Sequence, residues 1–415
     1  MTLKSGPLSL KQNMLWNTIG CLVYQGCQWA ITVAVVVLSA DYANSGYLAY
    51  AMAIGNIFNP LATYNMRIIQ VSDVRNELSS NVYVGFRIVT VVLSFILVAV
   101  YLAFTASSLI LVVVSLCWLL FKADEAFCSV FYGMEQQNMR MDYIGISQGA
   151  RGLMSLILFS ALLVLTENIV LSILGMSVGC ILVTVVYDCR KAKLFGSIRP
   201  EMSVRLAIKL ARTYLPAVIT LVCYGAVVSV ARQIFEGACG AEALGMYAAV
   251  ATPTVLVQVA ANYLYGPMLV GIAENWAKKN LTSFVKSIVL VLATIIGMSC
   301  VVLILAELFG EWALVLVFGE SIRSCAYLLI PALLATAVTT VFAFLFDILS
   351  TIRCFSGALA ANLTALAVSA IAAPHLIDLF YMNGINATII LAFGVGIIIG
   401  LCFLLQRISA ARKTA

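Results

Sequence analysis

Between residues 119 and 130 the chain reads LLFKADEAFCSV, with Lys122, Asp124 and Glu125 set into an otherwise apolar stretch. On a helix, Lys122 and Glu125 stand at i and i+3 and can pair, while Asp124 points about 100 degrees or more away, towards a neighbouring element. The same helical spacing aligns Asn56, Asn59, Thr63 and Arg67 beside Gly55 and Pro60. It also aligns Tyr83, Arg87, Thr90 and Ser94, and again Tyr143, Ser147, Arg151 and Ser155, with Gln148 adjacent. Arginine forks suit bidentate contacts to phosphate, so this set could hold an anion. Arg87 and Arg151 have no acid on their own segments, and each needs a carboxylate from elsewhere, such as Asp124 or Glu125, or an exchangeable anion. A structural ion-pair network and an anionic substrate site both fit this pattern.

The elements that must position these residues are apolar. Of 415 residues, 63% are hydrophobic and 10% charged, and the mean hydropathy is +1.06. Soluble domains carry roughly 25% charged residues, so the chain reads as an all-α polytopic membrane protein. Hydropathy gives twelve transmembrane helices over 14–39, 43–66, 81–105, 108–133, 143–165, 168–187, 213–235, 243–271, 284–306, 325–349, 354–374 and 384–406. The first is too long for a signal h-region and is expected to be retained. A charge at mid-bilayer costs on the order of a few kcal/mol, so the four polar-faced spans of the first half must face partners or water.

Most Lys and Arg, including Lys11, Arg140, the run from Arg190 to Arg212, Lys278, Lys279 and Lys286, fall on one side of this topology. Acids such as Asp41, Glu167, Glu307 and Glu320 fall on the other. The positive-inside rule then places both termini in the cytoplasm. It also accounts for the basic charge without nucleic acid. The polar stretch 188–212 divides a lobe of six helices, 1–187, from a second, 213–415, and its basic residues are expected against anionic membrane lipids. YAMAIGNIFNPLATYN (50–65) and YAAVATPTVLVQVAAN (247–262) share their first two residues and their last, a faint sign of parallel pseudo-twofold repeats. The second half is drier. It offers Thr254, Gln258 and Asn262 as one stripe, with Arg232 and Asp347 near span ends, and Pro216, Pro253 and Pro331 as candidate bends. The twelve cysteines contain no CxxC pair and the one histidine is His375, so neither a metal nor a cofactor is expected.

The stretches NMLWNTIGCLVYQGCQWAITVAV (13–35), MRIIQVSDVRNELSSNVYVGFRIVT (66–90), YGMEQQNMRMDYIGISQGARG (132–152) and AANYLYGPMLVGIAENWAKKNLTSFVK (260–286) carry a resemblance. They resemble the polysaccharide flippases of the multidrug/oligosaccharidyl-lipid/polysaccharide (MOP) exporter superfamily, in its O-antigen and capsule-repeat (Wzx-type) branch. The resemblance implies two six-helix bundles in a V like that of MATE proteins, alternately open inward and outward in the cytoplasmic (inner) membrane. It implies a polyprenyl-diphosphate-linked oligosaccharide as substrate, with a polysaccharide polymerase or glycosyltransferases as further partners, and no enzyme activity. On that reading Arg67, Arg87, Lys122, Arg151, Gln148, Asn56, Asn59, Gln258 and Asn262 line the substrate cavity. Asp124, Glu125, Asp73 and Asp347 serve as counter-ions or coupling groups. A cation-coupled multidrug exporter of the same superfamily is the first alternative, and a membrane-embedded polysaccharide enzyme the second.

Overall fold

The computed structural model describes residues 6–73, 77–266 and 268–413, and among the described residues it holds helices and no strand. The first helix, α1 (Leu10–Val37), starts on a capping box in which Ser9 and Gln12 satisfy each other's backbone N–H groups. Then come α2 (Ala43–Thr63), α3 (Met66–Ser72), α4 (Ser80–Thr105), α5 (Leu109–Gln137), α6 (Met141–Thr166) and α7 (Ile169–Val183). A π-helical turn, Thr184–Asp188, leads into α8 (Cys189–Ala192). The second half contains α9 (Val204–Ala251), α10 (Val255–Tyr265), α11 (Met268–Ala277), α12 (Leu281–Phe318), α13 (Leu329–Thr351), α14 (Phe355–Phe380) and α15 (Asn383–Lys413).

Among the described residues, nine helical segments are long and apolar enough to cross a membrane. One of these covers the 59 residues 204–262, enough for two crossings, and bends where Gly240 takes φ 85° and ψ 168°. That conformation belongs to glycine. The polar-faced α2 and α5, of 21 and 29 residues, fall outside the nine but have the length to cross. The chain is a multi-pass helical membrane protein.

Three boundaries differ from the hydropathy reading. The eighth span is broken by a 3-10 turn, Thr252–Thr254, because Pro253 has no N–H for an α-helical bond. The ninth runs on to Phe318, since Glu307 and Glu311 sit on exposed faces of a strongly helix-forming sequence and do not stop it. The segment after α8 is a packed strap rather than a free loop. Glu201 N–H donates to the Asn81 carbonyl at 3.1 Å, and Phe195, Ile198 and Met202 join the core around Phe86, Phe131 and Ile144.

The chain divides into two compact units, Met1–Val218 and Ile219–Ala415. In the first, α1 lies on α6 at a backbone-to-backbone approach, where a Cβ on Gly20 would stand 2.4 Å from the Gly145 Cα. Against α5 pack α2, α4 and α7, and α3 caps its far end. In the second, α14 packs on α15 and α13 on both α12 and α15, around a core of Phe284, Val291, Phe344, Ile348 and Leu349.

Candidate functional site: a charged cluster on the polar face of the first unit

Polar residues on α5, α6 and the π turn converge inside the first unit. Arg151, on α6 and 2% exposed, is the hub. Its Nη2 donates to Asp124 Oδ2 at 2.5 Å, and its Nη1 donates to Thr184 Oγ1 at 2.6 Å and lies 3.7 Å from Asp188 Oδ2. Asp188 also accepts from the Cys128 thiol at 3.0 Å. Thr184 and Asp188 both belong to the π-helical turn, a local widening that recurs at functional sites. Asp124 meets the neighbouring span as the helical spacing predicts. A buried guanidinium needs such partners, because leaving it unpaired would cost several kcal/mol.

One turn away, the Lys122 ammonium lies 2.7 Å from Glu125 Oε2, with the two side chains 21% and 33% exposed. Lys122 also stands over the rings of Trp118 and Phe121, at 5.4 and 5.0 Å. The Tyr24 hydroxyl of α1 faces the same carboxylate. Gly55 brings α2 against this place, its added Cβ reaching Lys122 Cγ at 3.7 Å, and Asn56 and Asn59 of the same helix are exposed. Lys122 sits near the middle of the 29-residue α5, about 20 Å along the helix from its start. At such depth a partly exposed ion pair faces water or a polar guest rather than lipid tails.

The other expected site residues are spread out. Arg87 is 1% exposed and its Nη1 donates to the Ala62 carbonyl at 2.7 Å, where Thr90 Oγ1 also donates at 2.8 Å. It thereby caps the C-terminus of α2, which ends in left-handed Tyr64 and Asn65. Nε and Nη2 of Arg87 have no hydrogen-bond partner among the described residues. Arg67 donates to Gln136 Oε1 at 3.0 Å and stacks over Tyr132 at 5.5 Å, at the far end of α5 from its start. Gln148 is half-buried, with its Oε1 unpartnered among the described residues. Asp73, the C-cap of α3, bonds to residues ahead of and within α4: burial opposes its charge, but N–H groups of Glu77 and Leu78 and the Tyr83 hydroxyl hold it below the usual aspartate range. In the second unit Gln258 donates to the Tyr224 hydroxyl at 3.0 Å, and Asp347 accepts from the Tyr265 hydroxyl at 3.0 Å. Asn262 is exposed.

Two acids escaped the sequence reading. Asp188 falls where hydropathy begins the linker, although Thr184 and Asp188 at i and i+4 would have marked a shared face. Glu135 is fully buried with both oxygens unpartnered among the described residues. At helical spacing it stands three residues on from Tyr132. With Asp188 included, the central cluster has three acids, Asp124, Glu125 and Asp188, against two bases, Lys122 and Arg151. The cluster thus carries one excess acid, because Arg87, on α4, lies apart from it and bonds to a carbonyl of α2.

No family model and no curated protein matches the chain, but solved structures do. An inward-facing multidrug resistance MATE family transporter of the MOP superfamily superimposes with a TM-score of 0.70 at 12% identity, covering 97% of this chain and 99% of that one. The lipid II flippase MurJ in an inward closed conformation gives 0.71 at 12% identity over 94% of this chain and 87% of its own. A MOP superfamily transporter from Pyrococcus furiosus, described as having a binding pocket of reversed polarity, gives 0.58 at 15% identity over 97% and 96%. The chain has the MATE/MOP transporter fold. These neighbours are transporters and flippases rather than enzymes. At 12–15% identity the likeness carries the MOP fold, and the substrate must be argued from this chain's own side chains.

Proposed function

We propose that the chain is a flippase that moves polyprenyl-diphosphate-linked oligosaccharides across the cytoplasmic membrane by alternating access, for surface polysaccharide synthesis. Both termini lie on the cytoplasmic side in this proposal. The observation that carries it is the Lys122–Glu125 pair, partly exposed halfway along α5 beside Gly55 of α2, the helix that also bears the exposed Asn56 and Asn59. A lipid-linked sugar brings a diphosphate and hydroxyls through the membrane while its tail stays in hydrocarbon. It therefore needs an exchangeable cation beside amide groups. Lys122 supplies the cation and can trade Glu125 for phosphate, while Arg151, clamped by two aspartates, holds α6 and the π turn against α5.

A second reading is favoured by one observation, the excess of acid in the cluster. Three carboxylates around two bases suit a cation-coupled exporter of cationic drugs. Thermal shift of the purified protein separates the two readings. The flippase reading expects stabilisation by a polyprenyl-diphosphate sugar and loss of that response in Lys122→Gln, with no response to a cationic dye such as ethidium. Stabilisation by the dye alone rejects the flippase and leaves the exporter.

A further inference from the structure

A groove of about 490 Å³ runs along the first unit between the last turns of α2, one face of α4 and the first turns of α9. Leu61, Val89, Leu93, Leu97, Ala207 and Ile208 line it, and Leu93 and Ile208 are exposed. Water gains little in a channel with such walls. In a membrane protein its natural filling is hydrocarbon.

The start of α9 says which kind. Its first turns present three faces: Leu206 and Leu210 enter the core of the unit, Val204, Ala207, Ile208 and Ala211 wall the groove, and Arg205, Lys209 and Arg212 are exposed. Helical geometry sets the basic stripe roughly 100 degrees round from the groove wall, so a molecule lying in the groove has three cations at its flank. A fourth lies behind the wall. Thr90, which lines the groove, shares the Ala62 carbonyl with Arg87, whose Nε and Nη2 are buried and unpartnered among the described residues. An apolar trough flanked on one side by cations matches a ligand with a greasy tail and an anionic head.

We propose that this groove binds one acyl chain of an anionic glycerophospholipid, with its phosphate against Arg205, Lys209 and Arg212. The site stands apart from the Lys122 cluster and does not depend on which substrate the protein carries. A zwitterionic lipid could fill the trough, but its head has no net charge to offer the stripe. The lipid would fasten the strap and the start of α9 to α4, acting as a wedge between elements joined in this region by few polar bonds, such as that from the Tyr64 hydroxyl to the Ala211 carbonyl at 3.0 Å.

The test uses the full chain in phosphatidylcholine vesicles doped with spin-labelled phosphatidylglycerol or spin-labelled phosphatidylcholine. The motionally restricted fraction is expected to be severalfold larger for phosphatidylglycerol. The surface variant Arg205→Gln/Lys209→Gln/Arg212→Gln, which removes no packing, is expected to bring it down to the phosphatidylcholine level. Ala207→Phe, which fills the trough and leaves the stripe intact, is expected to abolish the difference as well. Equal restriction of the two lipids in the parent protein overturns the proposal, and so does a preference that survives Ala207→Phe. Displacement of the label by polyprenyl phosphate at lower concentration than by phosphatidylglycerol also overturns it, by making the trough a seat for the carrier lipid.

Discussion

At the scale of single residues, the first unit separates two kinds of buried charge. Arg151 is saturated: two carboxylates and a hydroxyl leave its guanidinium little to offer a ligand. Lys122 has one carboxylate and two aromatic faces, and retains exposure. The difference predicts different phenotypes. Arg151→Met strands Asp124 and Asp188 in a dry environment and is expected to destabilise the protein by about 3–5 kcal/mol, the range for breaking one side of a buried pair. Adding Asp188→Asn should restore part of that loss. Thermal unfolding in detergent measures both, and a stable Arg151→Met protein would remove Arg151 from its structural role.

At the scale of elements, glycines and caps decide how closely the helices approach. Around Gly145 an added Cβ would fall 2.4 Å from the Trp16 carbonyl oxygen, which is backbone and cannot rotate away. Gly145→Val is therefore expected to push α1 off α6 and to cost about 1–3 kcal/mol, an overpacking penalty, while Gly149→Ala, with nothing near its Cβ, should be silent. Hydrogen exchange in α1 distinguishes the two. The polar faces of α2, α4, α5 and α6 were legible from their spacing, and so was the meeting of Asp124 with another span. The spacing did not show which charges are sealed. Arg87 looks like an anion ligand in a helical stripe and is in fact bonded to a carbonyl of α2, a backbone group that carries no signature in the residue types.

At the scale of the whole molecule, twelve crossings and the distribution of basic residues predict that reporters fused to the two ends read the same compartment. A cytoplasm-active fluorescent fusion should be bright at both ends and a periplasm-active phosphatase fusion silent at both. Opposite readings would require an odd number of crossings. Composition alone determined the solvent of this protein, its helical class and the approximate place of each span, because transfer of apolar side chains into lipid is a local property that sums along the chain. The tertiary structure decided what each intramembrane charge does. Pairing is a relation between residues far apart in sequence, as with Arg151 and Asp188, and a π turn or a proline break shifts faces in ways that a regular 3.6-residue period cannot express.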